Sequence, residues 1–257
     1  MFDSNAVVVG TGFIGPVHVE ALRRAGVGVR GILGSTPEKS AASAKTLGIP
    51  RPYSSLDEVL RDSDVDVVHL TSPNHLHFSQ AERVLLAGKH VVCEKPLALN
   101  SDQSRSLVSL ANTSNRIAAV CHNIRFYPLC HQAKAHVDSE QFGQLFHATG
   151  CYAQDWLLHS TDFNWRVDAK QSGPLRALAD IGTHWLDLIQ FVTSRRVTSV
   201  MADLHTVHQT RRLPDRGSTT FSRDSENADE GRDVPIDTED FGSVLFHLND
   251  GAKGQFH

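Results

Sequence analysis

The sequence predicts an α/β fold in which a doubly wound parallel sheet comes first and an α+β domain with a mainly antiparallel open sheet follows. Up to residue 121, short apolar runs alternate with helical patterns, which is typical of parallel sheets. A glycine-rich turn follows the first apolar run and opens a helical pattern. Beyond residue 123 the alternation stops and longer strand patterns take over. We therefore predict two domains, at residues 1–123 and 124–257.

Composition limits the kinds of protein that the chain can be. It has 257 residues, of which 40% are hydrophobic, so it can fold around a large core. The formal net charge is −4 without any basic run, which argues against nucleic acid and anionic membranes as partners. No apolar stretch is long enough to span a bilayer, and no secretory leader precedes the first strand pattern. The sequence therefore indicates a cytoplasmic protein.

The cysteines and histidines do not have the spacing of a metal site. The four cysteines lack CxxC spacing, so we expect free thiols in a reducing compartment. The 15 histidines are scattered, and the pairs His75/His77 and His131/His136 lack the helical spacing of zinc ligands. We therefore predict no bound metal.

The first element is a strand, Ala6–Val9, which leads into the turn GTGFIG at residues 10–15. Gly10 permits the tight turn, Gly12 lets a pyrophosphate approach the backbone, and Gly15 lets the next helix pack closely on the strand. The N-terminus of that helix also favours negative charge. Glycine-rich turns also occur for steric reasons alone, but the flanking strand and helix favour dinucleotide binding here.

The second strand, Val27–Leu33, bears on the choice of dinucleotide. An NAD-binding chain usually offers a carboxylate to the ribose hydroxyls about 20 residues beyond the glycines. The tip of this strand instead offers the hydroxyls of Ser35 and Thr36, with Lys39 nearby, and these groups suit a 2′-phosphate. The alternative is that Ser35 or Thr36 caps the helix Pro37–Leu47. The sequence thus leaves NAD and NADP open, with a slight preference for NADP.

The remaining strands of the first domain bring polar side chains to one edge of the sheet. Strand patterns at residues 65–70, 91–93 and 117–121 alternate with helical patterns at 56–60, 78–87 and 101–112, with a turn at 71–77 and a cap at Ser101. Ligands of such sheets bind beyond the carboxyl ends of the strands, so residues that follow strand ends should line one crevice. These residues are Gly12, Asn74, His77, Lys95 and Asn123.

Lys95 stands between Glu94 and Pro96 at the end of the strand Val91–Cys93. Proline has a fixed φ and biases the residue before it towards extended geometry, so a stiff backbone holds this lysine. The tripeptide alone favours a solvated lysine at the end of a strand. The crevice that it shares with the other strand ends favours a reacting group instead.

The second domain has longer strands and fewer helices. We predict a helix at residues 128–137 and strands at 145–154, 197–207 and 241–248. The segment Arg211–Asp233 is polar and rich in charged and hydroxyl residues, and we predict that it is a mobile loop.

Asp180 and His184 form a second group of candidate residues. They are four residues apart, so on a helix they share one face, while Ile181, Trp185 and Leu188 supply apolar packing. A carboxylate beside an imidazole can orient the ring and raise its pKa, which would make His184 a general base for an alcohol proton. The alternative is a helix cap at Asp180 with His184 as a core histidine, and the spacing alone leaves both open.

These motifs together resemble the glucose–fructose oxidoreductase/inositol dehydrogenase (Gfo/Idh/MocA) family of NAD(P)-dependent oxidoreductases. The resemblance rests on GTGFIG at residues 10–15, SPNHLH at 72–77, CEKPLALN at 93–100, HNIRFYP at 122–128 and ADIGTHWLDL at 179–188. A late segment at 237–256, DTEDFGSVLFHLNDGAKGQF, is also similar to strands of the family's final domain. The resemblance implies an NAD(P)-binding Rossmann domain followed by a substrate-binding domain.

The resemblance also implies roles for individual residues. Lys95 matches the catalytic lysine that bonds the reacting oxygen, His184 the proton-transferring histidine, and Asp180 its acidic partner. The positions that match the pyrophosphate loop are Gly10, Gly12, Phe13, Ile14 and Gly15. Further positions that match cofactor contacts are Asn74, His77, Glu94, Lys95, Asn123 and Arg166. In relatives the peptide bond between the lysine and the proline is often cis.

The activity that the resemblance implies is hydride transfer between NAD or NADP and a hydroxyl-bearing carbon of a sugar, anhydrosugar, inositol or related polyol. Two alternatives stay open: a non-catalytic sensor of NAD(P) or sugar that controls a partner, and glycoside cleavage assisted by a redox cofactor. The segment Ser172–Ala177 departs from a glycine run that is common in relatives and resembles a branch of sugar and anhydrosugar dehydrogenases.

The resemblance has a further consequence for the second domain. Relatives continue with more strands after the position that matches residue 257, so we expect the sheet of this domain to be incomplete. Either the chain is shortened at this point, or a partner covers the open edge of the sheet. An open sheet edge invites association or aggregation, and we expect a homo-oligomer that forms through this sheet.

Overall fold

The structure is a computed structural model that describes residues 4–214 and 231–257. The chain divides into two compact units, Met1–Cys121 and His122–His257. The first unit holds a parallel sheet with helices and the second a mixed, mainly antiparallel sheet, which confirms the predicted fold class. Within the two described ranges, no helix combines the length and the apolar character that crossing a membrane requires.

The first unit alternates strand and helix as its sequence pattern predicts. Strands β1 to β6 span Asn5–Val9, Gly28–Leu33, Arg51–Tyr53, Val67–Leu70, His90–Cys93 and Ala118–Val120. Helices α1 to α5 span Ile14–Arg24, Pro37–Leu47, Leu56–Arg61, Asn74–Leu86 and Ser101–Ser114.

The sheet of the first unit has the strand order β3-β2-β1-β4-β5-β6, and its pairings are parallel. The order reverses between β1 and β4, and ligands of doubly wound sheets bind at this switch point. Helices cover both faces, so the central strands are continuous apolar runs. Val7 and Val68 are buried in the core on one side of the sheet, and Val8 is buried in the core on the other.

Two local features of the first unit differ from the sequence prediction. Residues 71–77 were predicted as a turn, but α4 already begins at Asn74, directly after the extended Pro73. Ser101 was predicted as the cap of α5, but the cap is Asn100, whose side chain accepts the backbone N–H of Gln103 at 2.9 Å. The cap falls on the residue whose oxygen can satisfy a free N–H of the first turn.

The second unit combines two small sheets with helices and short turns. Helices α6 to α8 span Pro128–Asp138, Ala169–Ser172 and Thr183–Thr193. Single 3-10 turns span Asn123–Phe126 and Trp165–Val167, and a π-helical turn spans Leu178–Gly182. Strands β7 to β12 span His147–Gly150, Val197–His205, Thr210–Leu213, Arg232–Pro235, Phe241–Leu248 and Lys253–Phe256.

The larger sheet of the second unit has the order β7-β12-β11-β8. Strand β11 pairs antiparallel with both β8 and β12, whereas β12 pairs parallel with β7. Alternate residues of β11, including Val244 and Phe246, point into the core of this unit. Helix α8 packs on the same core, where Trp185 stacks on Phe256 with 4.7 Å between the ring centroids.

The second unit corrects two of the predicted elements. The strand predicted at 145–154 is shorter, because β7 covers only His147–Gly150. The segment Arg211–Asp233 was predicted as a loop, but its ends belong to β9 and β10, which pair antiparallel. Arg211 is buried there because carbonyl oxygens and Asp240 accept its guanidinium hydrogens. The middle of the predicted loop, residues 215–230, lies outside the described residues.

Candidate active site

The glycine turn joins β1 to α1 in a tight bend. Gly10 has a φ of +123°, and a Cβ at this position would lie 2.5 Å from the carbonyl oxygen of Thr71. A Cβ on Gly15 would lie 2.3 Å from the carbonyl oxygen of Gly10, so both positions exclude a side chain. A Cβ on Gly12 would meet none of the described atoms within 4 Å apart from its chain neighbours. The backbone at Gly12 is therefore open to a ligand.

The N-terminus of α1 adds a favourable site for negative charge. The residue before the helix is Phe13, whose side chain lacks a hydrogen-bonding group, and the first turn from Ile14 holds no acidic residue. The helix dipole favours an anion at this end. With the open backbone at Gly12, the turn has the two features that hold a pyrophosphate.

The tip of β2 carries a helix cap, which was one of the two alternatives for Ser35 and Thr36. Thr36 Oγ1 accepts the backbone N–H of Lys39 at 3.3 Å and thereby caps α2. The same hydroxyl hydrogen-bonds to Glu38, and this bond lowers the pKa of that carboxyl. Ser35 is exposed beside the cap. The strand tip thus presents an ionised carboxylate, Glu38, that the sequence analysis overlooked.

Glu94 and Lys95 follow β5 directly. Glu94 Oε1 lies 3.1 Å from Nε2 of His18, and Oε2 accepts the backbone N–H of Lys95 at 3.2 Å. Burial works to raise the pKa of Glu94, but the hydrogen bond and charge of His18 and the charge of Lys95 outweigh it and lower this pKa. Glu94 is therefore an anion that contacts the backbone of Lys95. The peptide bond between Lys95 and Pro96 is cis, as the resemblance implied.

His77 lies buried close to Pro96. Its side chain is 1% exposed, and its Nδ1 and Nε2 lie 2.7 and 2.8 Å from the carbonyl oxygens of Pro96 and Ser72. Burial lowers the pKa of His77, and a neutral ring donates to one of these carbonyls at a time. His77 therefore ties the segment before α4 to the backbone that follows Lys95. Asn74, the first residue of α4, is also buried.

Asp180 and His184 lie in the second unit, where the π-helical turn leads directly into α8. Asp180 Oδ2 forms an ion pair with Arg166 Nε at 3.2 Å, and both side chains are largely buried. The residue at the cap position of α8 is Gly182, so the capping alternative for Asp180 is wrong. The structure therefore places three of the predicted site residues on neighbouring elements of one unit.

Aromatic rings surround this part of the second unit. The His122 ring meets the His184 ring edge-on at 6.0 Å between centroids, and the Tyr152 ring lies 6.3 Å from it. The Arg166 guanidinium lies over the Trp165 ring at 4.6 Å. Asn123 directly follows His122 and begins a 3-10 turn. The sequence analysis assigned no role to His122 or Tyr152, since only the fold brings them to His184.

A buried carboxylate holds the backbone that carries Asp180. Glu239 accepts the backbone N–H groups of Arg176 and Leu178 at 2.9 and 2.8 Å, at the start of the π-helical turn. The Arg176 guanidinium in turn donates to Asp240 at 2.6 Å. The sequence analysis missed Glu239 because 61 residues separate it from Leu178, and no local pattern links them.

The predicted site residues are thus divided between the units. In the first unit they follow β1, β2, β4 and β5, as Gly10 to Gly15, Ser35 and Thr36, Asn74 and His77, and Glu94 and Lys95. Those of the second unit are Asn123, Arg166, Asp180 and His184. In the first unit all of them lie at the carboxyl edge of the parallel sheet, which is where a dinucleotide binds.

Two family models match the chain, one in each half. A model described as an oxidoreductase family with an NAD-binding Rossmann fold matches residues 4–122. A model described as the GFO/IDH/MocA C-terminal domain matches residues 130–257. The matched ranges agree with the change from a parallel to a mixed sheet.

Named relatives extend this similarity to individual proteins. Levoglucosan dehydrogenase from Pseudarthrobacter phenanthrenivorans is 28% identical over 264 aligned residues, which cover 99% of this chain and 67% of that protein. A 1,5-anhydro-D-fructose reductase from Ensifer adhaerens is 29% identical over 188 residues, or 73% of this chain and 55% of that protein. The solved structure of levoglucosan dehydrogenase in complex with NADH and L-sorbose matches with a TM-score of 0.89 at 28% identity. That match covers 98% of this chain and 66% of the solved chain, so the present chain spans about two thirds of its length.

Proposed function

The chain belongs to the Gfo/Idh/MocA family of oxidoreductases, and from this premise we propose that it transfers a hydride between NAD and a hydroxyl-bearing carbon of a sugar, anhydrosugar, inositol or related polyol. The observation that carries the proposal is the carboxyl edge of the parallel sheet, where the open glycine turn and the Glu94–Lys95 segment occur together. Two relatives are named for anhydrosugar substrates, which supports that substrate class.

Each half of the chain has its own role in this proposal. Residues 1–123 bind the dinucleotide, and residues 124–257 bind the substrate. The backbone at Gly12 and the N-terminus of α1 hold the pyrophosphate, together with Phe13 and Ile14. Asn74 contributes to the nicotinamide end, while His77 acts by positioning Pro96. Bound nicotinamide supplies the hydride chemistry, and the chain supplies orientation and charge.

Three side chains accept the proton, stabilise the developing charge and orient the proton acceptor. His184 accepts the proton of the substrate hydroxyl as a general base. The Lys95 ammonium stabilises negative charge that develops on a substrate oxygen, an effect worth about 3 kcal/mol for one well-placed donor. Asp180 keeps the imidazole oriented and stabilises its charged form, and the ion pair with Arg166 holds this carboxylate in place.

The contacts at the tip of β2 favour NAD over NADP. Thr36 acts as a helix cap, so its hydroxyl is engaged by Lys39 N–H and by Glu38. The Glu38 carboxylate would repel a 2′-phosphate, and it can accept a hydrogen bond from a ribose hydroxyl. The slight preference for NADP that the hydroxyls suggested is therefore replaced by a proposal for NAD.

The open face of the larger sheet supports association with a second copy of the chain. Phe241 and Leu245 of β11 are each 50% exposed, and Met201 of β8 is 69% exposed. Leu245 lies opposite Met201 in the antiparallel register, so their side chains share one face. An apolar face of this kind is typical of an interaction surface, and we propose a homo-oligomer that forms through it.

The hydride-transfer proposal is tested by NAD(P)-linked turnover of a panel of anhydrosugars, sugars and inositols. We expect at least one substrate to be turned over, with kcat reduced at least about 100-fold in Lys95→Ala and in His184→Ala. The matched controls are Lys45→Ala and His75→Ala, which replace exposed side chains of the same types.

Two outcomes would contradict the assignment. Unchanged turnover in both Lys95→Ala and His184→Ala would show that neither residue has the proposed catalytic role. Tight NADH binding without turnover of any panel member would favour a non-catalytic sensor instead. Fluorescence titration with NADH separates this case from a chain that fails to bind the cofactor.

A further inference from the structure

Four side chains from four different elements converge at the carboxyl edge of the parallel sheet. They are His18 of α1, His69 of β4, Glu94 after β5 and Cys121 after β6. One ligand atom each from His18, Glu94 and Cys121 lies within 4.8 Å of the other two. We propose that these three residues form a binding site for a zinc-like divalent cation.

The distances within this cluster suit tetrahedral coordination. Zinc bonds nitrogen and oxygen ligands at about 2.0–2.2 Å, so neighbouring ligand atoms of a tetrahedral site lie roughly 3.3–3.5 Å apart. His18 Nε2 and Glu94 Oε1 are already 3.1 Å apart, and Cys121 Sγ lies within 4.8 Å of the ligand atoms of both residues. The site provides three protein ligands and leaves one coordination position for water.

The ligand types select the class of metal. A thiolate, an imidazole and a carboxylate together suit zinc or cobalt, whereas magnesium and calcium prefer oxygen ligands alone. Glu94 is already an anion. Cys121 coordinates a metal as its thiolate, so the cation must displace the thiol proton on binding. We therefore expect protons to be released on binding and the affinity to increase with pH.

Outer partners already orient two of the three ligands. His18 Nδ1 lies 2.9 Å from His69 Nδ1, so coordination through Nε2 leaves the N–H at Nδ1 to donate to His69. A neutral His69 ring is able to accept this bond. The second oxygen of Glu94 is held by the backbone N–H of Lys95. Such outer contacts are typical of metal sites, where they fix the tautomer and the ring orientation.

The site is accessible without being a surface cluster. The side chains of His18 and Glu94 are 11% and 16% exposed, so a bound ion would be largely shielded from water. Without an ion, His18 Nε2 and Glu94 Oε1 contact each other at 3.1 Å, and the cation would replace this contact. The prediction of no metal relied on spacing along the chain. This cluster has no such spacing because its residues come from separate elements.

Cobalt titration of the chelator-treated chain tests the proposal directly. We expect one Co²⁺ to bind per chain, with a thiolate-to-cobalt charge-transfer absorption that added Zn²⁺ abolishes. Cys121→Ser should remove this absorption and weaken Zn²⁺ binding at least about tenfold. The matched control is Cys151→Ser, because Cys151 is an exposed free cysteine of the second unit, and the absorption should persist.

A second variant separates metal binding from damage to the fold. His69→Gln keeps all three ligands, so we expect it to retain the absorption while weakening Zn²⁺ binding about tenfold. Thermal unfolding followed by circular dichroism shows whether each variant is folded. A folded wild-type chain without saturable absorption would overturn the proposal, as would an unchanged absorption in Cys121→Ser. The assay contains no nicotinamide cofactor, so its result is independent of the hydride-transfer proposal.

Discussion

Single polar side chains at the strand tips set the charge that a ligand of the first unit meets. The Thr36 hydroxyl is engaged in the cap of α2 and in a hydrogen bond to Glu38, so the segment after β2 presents an ionised carboxylate beside an engaged hydroxyl. Glu94 is held as an anion directly before Lys95. Negative charge thus occurs at two strand tips of the parallel sheet.

At this residue scale, Glu38 should set the choice between NADH and NADPH. In Glu38→Gln the repulsion of a 2′-phosphate is removed, and we expect the affinity for NADPH relative to NADH to rise roughly five- to tenfold. Fluorescence titration with both cofactors measures this ratio. Glu20→Gln, which neutralises an exposed carboxylate of α1, should leave it unchanged.

A variant at Lys39 tests the same choice between NADH and NADPH. Lys39→Gln should lower the affinity for NADPH if the lysine is the group that would meet a 2′-phosphate. The proposal for NAD fails if the unmodified chain binds NADPH more tightly than NADH, or if Glu38→Gln leaves the ratio where it was.

The π-helical turn and α8 are the element that carries the proposed proton acceptor and its acidic partner. Their geometry depends on Glu239, which accepts two backbone N–H groups at the start of the turn. A π-helical turn inside a helical segment is rare and is frequent at functional sites. Here a carboxylate from a distant part of the chain keeps the turn in place.

Glu239→Gln should therefore disturb the whole element. The amide replaces one acceptor oxygen by an N–H₂ group that faces N–H donors, so we expect the second unit to lose about 1–3 kcal/mol of stability against urea. We also expect kcat to fall more than KM rises, because the proton acceptor is misplaced while the substrate contacts remain. Glu140→Gln, at an exposed position after α6, is the matched control. If Glu239→Gln and Glu140→Gln had equal stability against urea and equal kcat, Glu239 would not hold the turn.

The open face of the larger sheet of the second unit is apolar, since Phe241, Leu245 and Met201 are exposed there. Leu245→Lys would place a charge within the proposed interface, and an unpaired buried charge costs about 3–5 kcal/mol. We expect this variant to be a monomer and the unmodified chain a larger oligomer. Size-exclusion chromatography with light scattering gives the mass of each.

A control on the other unit tests whether the effect is local. Leu86→Lys replaces an exposed leucine at the end of α4, and it should leave the oligomer intact. A monomeric unmodified chain would refute association through this face.

The order of strands and helices in the first unit was predictable because its signals are local. Alternating apolar patterns define β1 to β6, and the glycines of the first turn are required by a positive φ at Gly10 and by close backbone contact at Gly15. The predicted positions of Lys95, Asp180 and His184 also rest on short motifs. Such signals need only a few neighbouring residues, so they can be recognised in the sequence.

The sequence alone therefore determined the fold class, the dinucleotide turn and the family. Only the tertiary structure decided the partners of the candidate residues: His18 with Glu94, 76 residues apart, Arg166 with Asp180, and Glu239 with the π-helical turn. The cluster of His18, Glu94 and Cys121 was likewise apparent only in the tertiary structure. The physical reason is that hydrogen bonds and ion pairs require atoms within a few ångströms, and packing rather than spacing along the chain brings such residues together.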